Sequence, residues 1–244
     1  MRLGTWNVEY AAVRAKNDRR LNRLREMDAD IWVLTETHDD LDLRPEYQAV
    51  STTQRAGQRS GARWTTIWSR SPIARVLPVE DADRTVAALV ESPSGPLVVF
   101  GTVLPWQSDR GPNGNAKGWT EHHRVLPLQG REWARLRDDH PDAAFCVAGD
   151  LNMNLGGPRY YGTVQGREML RAALKNAGLA CVTETEHCAA HGLEHGPIDH
   201  ICLSHGLAQD AKVVAAWEGT DGDGVHLSDH SGLVVAIGRV VAQS

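Results

Sequence analysis

The chain opens with the polar and apolar pattern of a strand, a helix and a second strand. Residues 2–8 are predicted to form the first strand. Between residues 18 and 27, apolar residues recur at three-residue spacing among charged ones, which predicts an amphipathic helix ending at the polar segment 28–30. The uninterrupted apolar run 31–34 is typical of a strand buried on both faces, and it stops at the polar segment 35–37.

Short apolar segments bounded by Gly, Pro, Ser and Asp occupy the middle of the chain and predict an antiparallel meander of strands joined by turns. These predicted strands cover residues 47–52, 64–69, 73–79, 85–91 and 97–103. The polar loop 105–118 follows them. It is longer than most connections in a compact domain, which is typical of functional loops.

A second series of elements follows this loop. A helix is predicted from Thr120, as its N-cap, to about residue 139, although Pro127 and Gly130 interrupt its pattern and could divide it. Further predicted elements are a buried strand at 144–148, a helix at 166–177, and strands at 179–183, 198–204, 212–217 and 232–240. Two runs of strands with few helices predict an α/β fold of two packed sheets with helices outside.

Composition fits one globular domain over residues 1–244, with 41% hydrophobic residues and a net charge of −5. It excludes disordered, collagen-like and coiled-coil proteins. No apolar run approaches the roughly 20 residues that a membrane-spanning helix needs, so no membrane span is predicted. The first residues carry no signal-peptide pattern, which predicts a cytoplasmic location. The sequence shows no feature that requires a protein partner.

The four cysteines are expected to be reduced, and one of them, Cys188, allows a metal-site alternative. Cys188 lies near His187, His191 and His195, which could together bind zinc. Their spacing matches no standard zinc finger, and a histidine-rich surface loop is the simpler interpretation.

Acidic, amide and histidine residues recur where the predicted strands end. They are Asn7, Glu9, Glu36, Asp150, Asn152, Asp199, Asp229 and His230. A carboxylate beside a buried strand costs free energy unless it is paired, hydrogen-bonded or metal-bound. If these strand ends meet at one edge, Glu36, Asp150 and Asp229 offer the oxygen ligands that suit Mg²⁺ or Mn²⁺. A histidine held by an aspartate could then activate water or stabilise the transition state.

Each of these segments also has a plain structural interpretation. Gly149–Asn152 fits an ordinary turn, Glu36 fits a helix or turn cap, and Asn7 fits a satisfied core amide. Ser228–His230 suggests a serine hydrolase only superficially, because adjacent residues cannot normally face one another and the chain has no G-x-S-x-G elbow.

In combination and in this order, the segments resemble the endonuclease/exonuclease/phosphatase superfamily over nearly the whole chain. This group contains deoxyribonuclease I, exonuclease III-type abasic endonucleases, neutral sphingomyelinases and inositol-polyphosphate phosphatases. The matching segments are Thr5–Val8, Asp28–Glu36, Trp68–Ile73, Gly149–Asn152, Ile198–Ile201 and Ser228–His230. The resemblance implies a four-layer α/β/β/α sandwich of two mainly antiparallel sheets with helices outside.

The resemblance also implies a metal site. Glu36 would bind a catalytic Mg²⁺, for which Mn²⁺ could substitute, with Asn7 and Asp229 close to it. Glu9 would add an acidic contact outside the ligands themselves.

Four further residues receive catalytic roles from the resemblance. Asp150 would orient or deprotonate the attacking water, and Asn152 would hold the phosphate and that water. His230, fixed by Asp199, would contact the phosphate and stabilise charge as the bond breaks.

One position departs from the superfamily pattern. Many relatives carry a histidine or tyrosine that touches the phosphate where this chain has Val103, which cannot donate a hydrogen bond. Trp106 could contact the substrate or anchor the loop that follows it. Arg159 and Tyr160 could contact a phosphate or base, or pack against the sheet.

Three functions remain open from the sequence. The first is a Mg²⁺-dependent phosphodiester hydrolase, acting as an endonuclease or exonuclease on nucleic acid. The second is a phosphatase or phospholipase that hydrolyses inositol phosphates, sphingomyelin or other small phosphoesters. The third is a non-catalytic binding protein on the same fold, for which Val103 is the only indication.

Overall fold

The computed structural model describes residues 1–11, 13–54 and 58–238, which form two six-stranded sheets with helices around them. The strands are β1 (Arg2–Asn7), β2 (Ile31–His38), β3 (Gln48–Ser51), β4 (Ala62–Ser69), β5 (Ile73–Leu77), β6 (Thr85–Ser92), β7 (Gly95–Val103), β8 (Ala144–Asp150), β9 (Leu179–Cys181), β10 (Asp199–Ser204), β11 (Ala211–Trp217) and β12 (Gly232–Ile237). The helices are α1 (Arg14–Met27), α2 (Thr120–Asp139), α3 (Val164–Asn176), α4 (Thr185–Cys188) and α5 (His205–Ala208).

The two sheets have matching topologies. The first has the order β11-β12-β1-β2-β4-β3, and the second has the order β5-β6-β7-β8-β10-β9. Each contains one parallel pair, β1 with β2 and β7 with β8, and the other neighbours are antiparallel. The prediction of two mainly antiparallel sheets is therefore confirmed.

Apolar side chains fill the space between the sheets. This inner core contains Leu3, Ile31, Val33, Ile67 and Val235 from the first sheet, and Val86, Ala88, Val90, Val99, Ala148 and Ile201 from the second. Because side chains alternate along a strand, each strand sends one set of residues inward and the other set toward the helices. Removal of the inward set from water holds the sheets face to face.

Helices cover the outer faces of both sheets. Helix α1 packs through Leu24 against Trp6, Trp32 and Leu34 of the first sheet. Helices α2 and α3 pack on the second sheet in a cluster that includes Trp133, Leu136, Leu170, Leu174, Phe100 and Phe145. The result is the four-layer α/β/β/α sandwich that the resemblance implied.

Helix α2 is continuous, so Pro127 and Gly130 do not divide it as the sequence had allowed. Its apolar face stays buried through Val125 and Trp133, and this burial offsets the hydrogen bond that a proline removes. Thr120 is not the N-cap, because it is the first residue of the helix and Trp119 holds the N-cap position.

Other boundaries differ from the predictions at their ends. Helix α1 begins at Arg14, before the predicted residue 18, and β5 ends at Leu77. Strand β2 continues to His38 because its pairing with β4 extends that far. The predicted last strand reaches residue 240, and its final two positions lie outside the described residues.

Gly130→Ala is expected to lower the free energy of unfolding by about 1–3 kcal/mol through overpacking between α2 and α3. A Cβ at this position would lie 2.8 Å from the Ala173 Cβ. Urea unfolding followed by circular dichroism measures the effect. Gly206→Ala is the matched control, because nothing lies within 4 Å of a Cβ there. Equal stability of the Gly130→Ala variant and the wild type would contradict this close helix contact.

Candidate active site

The strand ends that carry the predicted site residues meet at one edge of the sandwich. Asn7 ends β1, Asp150 ends β8, and Asp199 begins β10 directly opposite Asp150. Glu36 lies near the end of β2, and His230 shortly precedes β12. Because β10 and β12 run antiparallel to their neighbours, their first residues reach the same edge as the last residues of β8 and β1.

Asp199 and His230 form a buried ion pair across the two sheets. The His230 Nδ1 atom lies 2.5 Å from Asp199 Oδ2, and the Asp199 side chain is 1% exposed. The other oxygen, Oδ1, is buried without a hydrogen-bond partner among the described residues. The imidazole is therefore oriented by Asp199, while its Nε2 atom faces Asn7 at 3.5 Å.

The segment before β12 is held in place by hydrogen bonds to β1. Ser228 Oγ donates to the Asn7 carbonyl oxygen at 2.6 Å and accepts from the His230 backbone N–H at 3.0 Å. Trp6 Nε1 donates to the His230 carbonyl oxygen at 3.1 Å. Ser228 thus positions His230 rather than serving as a nucleophile.

Asp150 is connected to both sheets. Its Oδ2 atom lies 3.3 Å from Asn7 Nδ2, and its Oδ1 atom accepts the Asn152 backbone N–H at 2.9 Å. The Asn152 side chain donates to the Leu104 carbonyl oxygen at 2.9 Å. Gly149 is required beside this residue, because its φ is +129° and a Cβ would lie 2.1 Å from the Thr102 carbonyl oxygen.

The three remaining acidic residues lie at different depths. Glu36 is partly exposed with a φ of +50°, and Asn7 hydrogen-bonds its side chain. Asp229 has a 66% exposed side chain with Oδ1 at 3.9 Å from His230 Nε2. Glu9 donates its backbone N–H to Asn7 Oδ1 at 3.0 Å, but its carboxylate points outward to His226.

Burial perturbs the acid–base groups of this site. Burial raises the pKa of Glu36 to about 7. Burial also raises the pKa of Asp150, and the nearby Asp199 and Glu36 carboxylates add to this effect, so that the value reaches about 8. Burial opposes the charged form of His230, but the Asp199 and Asp150 carboxylates outweigh it and raise the pKa of His230 to about 10. The site therefore pairs one cationic imidazole with several crowded carboxylates.

The geometry brings one metal-competent group together among the described residues. Ligand atoms of Asp150, Asp199 and His230 all lie within 4.8 Å of one another. Glu36 is joined to this group through the Asn7 amide. A set of buried carboxylates with too few cationic partners fits a divalent cation, which would lower the cost of holding them ionised.

The predicted substrate residues lie on two sides of this cluster. Tyr160 is 50% exposed and stacks on His195 with ring centroids 4.4 Å apart. Burial raises the pKa of the Tyr160 phenol, and the negative charges of Asp199 and Asp150 contribute in the same direction. Arg159 is exposed, and its Nη1 donates to the Gly162 carbonyl oxygen at 3.3 Å.

On the other side, Trp106 lies against Trp64, with ring centroids 5.7 Å apart. Val103 is fully buried and pairs with Asp150 across β7 and β8.

Sequence reasoning did not single out Arg84, which accompanies Val103 at this edge. The Arg84 carbonyl oxygen accepts the Val103 backbone N–H at 3.3 Å. Its guanidinium bonds Asp109 at 2.6 Å and lies over the Trp64 ring at 5.4 Å. No motif surrounds Arg84 in the sequence, so only the fold reveals this buried cation beside Val103.

The environments of His122 and His195 could not be predicted from the sequence. His122 is fully buried, its Nδ1 lies 2.7 Å from the Pro105 carbonyl oxygen, and burial lowers the pKa of its imidazole to about 4. His195 was considered in the sequence as a zinc ligand, yet it stacks on Tyr160.

Three of the four residues of the zinc alternative have other side-chain partners. Cys188 Sγ donates to the Thr183 carbonyl oxygen at 3.7 Å, and His191 Nε2 lies 3.3 Å from the Val213 carbonyl oxygen. With His195 stacked on Tyr160, the structure gives no support to a zinc site here.

No helix within the described ranges is long and apolar enough to cross a membrane.

The comparison with protein families identifies the class of this protein. A model of the Endonuclease/Exonuclease/phosphatase family matches residues 4–230. The chain belongs to this family, whose members are hydrolases that act on phosphate esters. No curated protein matches the sequence.

Solved structures share the fold at low sequence identity. An AP endonuclease from Archaeoglobus fulgidus matches with a TM-score of 0.69 and 16% identity, and the match covers 97% of this chain and 99% of the endonuclease chain. The 3' phosphatase NExo from Neisseria, bound to a product DNA hairpin, has a TM-score of 0.66 and 16% identity, with 98% and 99% covered. An endonuclease/exonuclease/phosphatase from Beutenbergia cavernae has a TM-score of 0.58 and 20% identity, with 99% and 73% covered.

The metal-free protein is expected to lose stability as the pH rises from 6 to 9. The folded chain binds protons at Glu36, Asp150 and His230 more tightly than the unfolded chain, so this contribution disappears as each folded-state pKa is passed. The loss should amount to several kcal/mol, since one pKa unit corresponds to about 1.4 kcal/mol and all three groups contribute within this pH range. Urea unfolding in chelator at several pH values measures it.

The Glu36→Gln/Asp150→Asn double variant should flatten this pH dependence and be more stable than the wild type at pH 9. Glu46→Gln, at an exposed position, should keep the wild-type slope. A slope that the double variant leaves unchanged would show that other groups cause it.

Proposed function

We propose that this protein is a Mg²⁺-dependent phosphodiester hydrolase that acts on nucleic acid. The observation that carries the proposal is the buried cluster of Asp150, Asp199 and His230, connected through Asn7 to Glu36. Such a cluster reduces stability when it has no ligand, and groups with strongly perturbed pKa values concentrate at functional sites. Membership of a family of phosphate-ester hydrolases supports the same conclusion.

The residues at this edge fit a hard divalent cation. Glu36, Asn7 and Asp229 would hold it, since carboxylate and amide oxygens are the donors that Mg²⁺ prefers and Mn²⁺ accepts. The Asp199 Oδ1 atom is buried and has no hydrogen-bond partner among the described residues. Such an atom is usually satisfied by a bound group, which supports a ligand at this site. A bound cation would offset the charge that develops on the phosphoryl oxygens.

Asp150 is placed to accept a proton from the attacking water. Its Oδ1 atom is held by the Asn152 backbone, which leaves Oδ2 beside Asn7 at the centre of the site. Burial raises its pKa to about 8 in the metal-free chain, and a bound cation would lower it, which would leave the carboxylate ionised and able to accept a proton.

His230 is placed to stabilise the phosphate. Its Nδ1 atom is engaged by Asp199, so Nε2 is the ring donor that faces the site. The raised pKa keeps the imidazole cationic at neutral pH, and its orientation is fixed before the substrate binds.

The surface beside the cluster favours nucleic acid over small phosphoesters. Tyr160 and His195 present a stacked pair of exposed rings next to the catalytic carboxylates, and nucleobases stack on such rings. The exposed Arg159 next to Tyr160 offers a cation for a backbone phosphate. The names of the structural relatives, an AP endonuclease and a 3' phosphatase bound to a DNA hairpin, agree with this choice.

His230→Ala is expected to reduce nicking of supercoiled plasmid by about 10²–10⁴-fold, because the variant loses the group that stabilises the phosphate. Nicking by the wild type should require Mg²⁺ or Mn²⁺ and stop in chelator. The assay compares gel-resolved plasmid forms over time. His187→Ala, which removes an exposed histidine, should retain wild-type rates.

Equal nicking by His230→Ala and the wild type would refute the site assignment. Release of phosphate from small esters without any nicking would favour the phosphatase alternative. Metal binding without turnover of either substrate would favour the non-catalytic binding protein.

Tyr160→Ala is expected to raise the KM for a single-stranded oligonucleotide about tenfold and to change kcat less, since a stacked base contributes about 1–3 kcal/mol. Tyr160→Phe keeps the ring and should behave like the wild type. Steady-state kinetics on the oligonucleotide and on bis(p-nitrophenyl) phosphate separate the two contributions. An equal rise in KM for this small diester, which has no nucleobase, would contradict a base-stacking role.

A further inference from the structure

Two cysteines face each other across the edge of the second sheet, on the side that the helices cover. Cys181 of the edge strand β9 lies directly opposite Cys202 of β10. Both side chains belong to the helix-side core. The function proposed above does not use either thiol.

The strand pairing gives these cysteines the spacing of a disulfide bond. The next pair along the ladder is hydrogen-bonded, because the Val182 backbone N–H donates to the Ile201 carbonyl oxygen at 3.0 Å. Hydrogen-bonded and non-hydrogen-bonded pairs alternate, so Cys181 and Cys202 form a non-hydrogen-bonded pair, in which Cα atoms are about 4.5 Å apart. This falls within the roughly 4.4–6.8 Å that disulfides span.

A polar side chain orients the Cys181 thiol. His200 Nδ1 lies 3.4 Å from Cys181 Sγ, and His200 Nε2 lies 2.9 Å from the Met153 carbonyl oxygen. A carbonyl oxygen can only accept, so Nε2 carries a hydrogen. Nδ1 also lies 3.2 Å from Thr183 Oγ1, so the Cys181 thiol and the Thr183 hydroxyl both face this nitrogen.

Cys181 lies closer to the surface than Cys202, because β9 is the edge strand of the second sheet. Cys181 is 8% exposed, whereas Cys202 is fully buried behind it. Cys181 is thus the more accessible residue of the pair, and Cys202 lies directly opposite it.

We propose that Cys181 and Cys202 are a redox modification site at which a hydroperoxide forms a cross-strand disulfide. The Cys181 thiol attacks the peroxide O–O bond, gaining one oxygen to become a sulfenic acid while the peroxide is reduced to an alcohol, or to water from hydrogen peroxide. The Cys202 sulfur then displaces the sulfenic oxygen as a second water, and the S–S bond forms.

The other two cysteines are excluded by their positions. Cys146 belongs to the core between the sheets, so its side chain lies on the opposite face of the second sheet. The Cys188 thiol donates to the Thr183 carbonyl oxygen at 3.7 Å rather than facing a strand partner.

The test treats the reduced full-length protein with hydrogen peroxide and counts thiols after denaturation. Two of the four thiols should disappear and return on reduction with dithiothreitol. Digestion at glutamate separates the candidates, because Cys181 falls in fragment 169–184, Cys188 in 187–194 and Cys202 in 195–218. Mass spectrometry should find 169–184 linked to 195–218.

Variants provide the matched control. Cys202→Ala should leave no intramolecular cross-link, whereas Cys146→Ala, which removes a buried thiol from the other face, should form the same link as the wild type. Circular dichroism checks that both variants fold. The fragment map of the wild-type protein tests the proposal even if a variant does not fold. A link from 169–184 to 187–194, a link between two chains, or four unreacted thiols would overturn the proposal.

Discussion

The candidate site depends on the apolar contact between the two sheets. Asn7 and His230 belong to the first sheet, while Asp150 and Asp199 belong to the second. The hydrogen bonds from Asn7 to Asp150 and from Asp199 to His230 therefore both cross the sandwich. They can exist only if the inner core aligns the two edges, so packing of residues far from any polar group sets the geometry of the chemistry.

Crowding of acidic side chains at this edge lowers the free energy of unfolding, and packing elsewhere in the structure offsets this loss. Glu36, Asp150 and Asp199 are crowded at an edge where water is largely excluded, and one imidazole does not neutralise them. A sheet designed for stability alone would carry apolar or neutral residues at these ends. The acidic residues lower stability in exchange for the proposed cation and phosphate site, which would be a common compromise between stability and activity.

Local patterns predicted the strands and the order of the motifs, and tertiary contacts decided the rest. The run from Ile31 showed a buried strand because its residues are apolar without interruption, but its extension to His38 depends on pairing with β4. The juxtaposition of the acidic residues followed from their shared position at strand ends. The partners of Tyr160 and Arg84 could not be predicted, since His195, Trp64 and Asp109 come from distant segments with no motif to connect them.

Strand β10 contributes residues to both proposed sites, on its two opposite faces. Its side chains alternate, so Asp199 reaches the acidic cluster at the inner edge, while His200 and Cys202 turn toward the helix side. Register already places Cys202 opposite Cys181, so a bond between them requires little movement of the backbone that carries Asp199. The bond would instead fasten the edge strand β9 to β10. Alternation along a single strand therefore separates the proposed phosphate site from the proposed disulfide site by the thickness of one sheet.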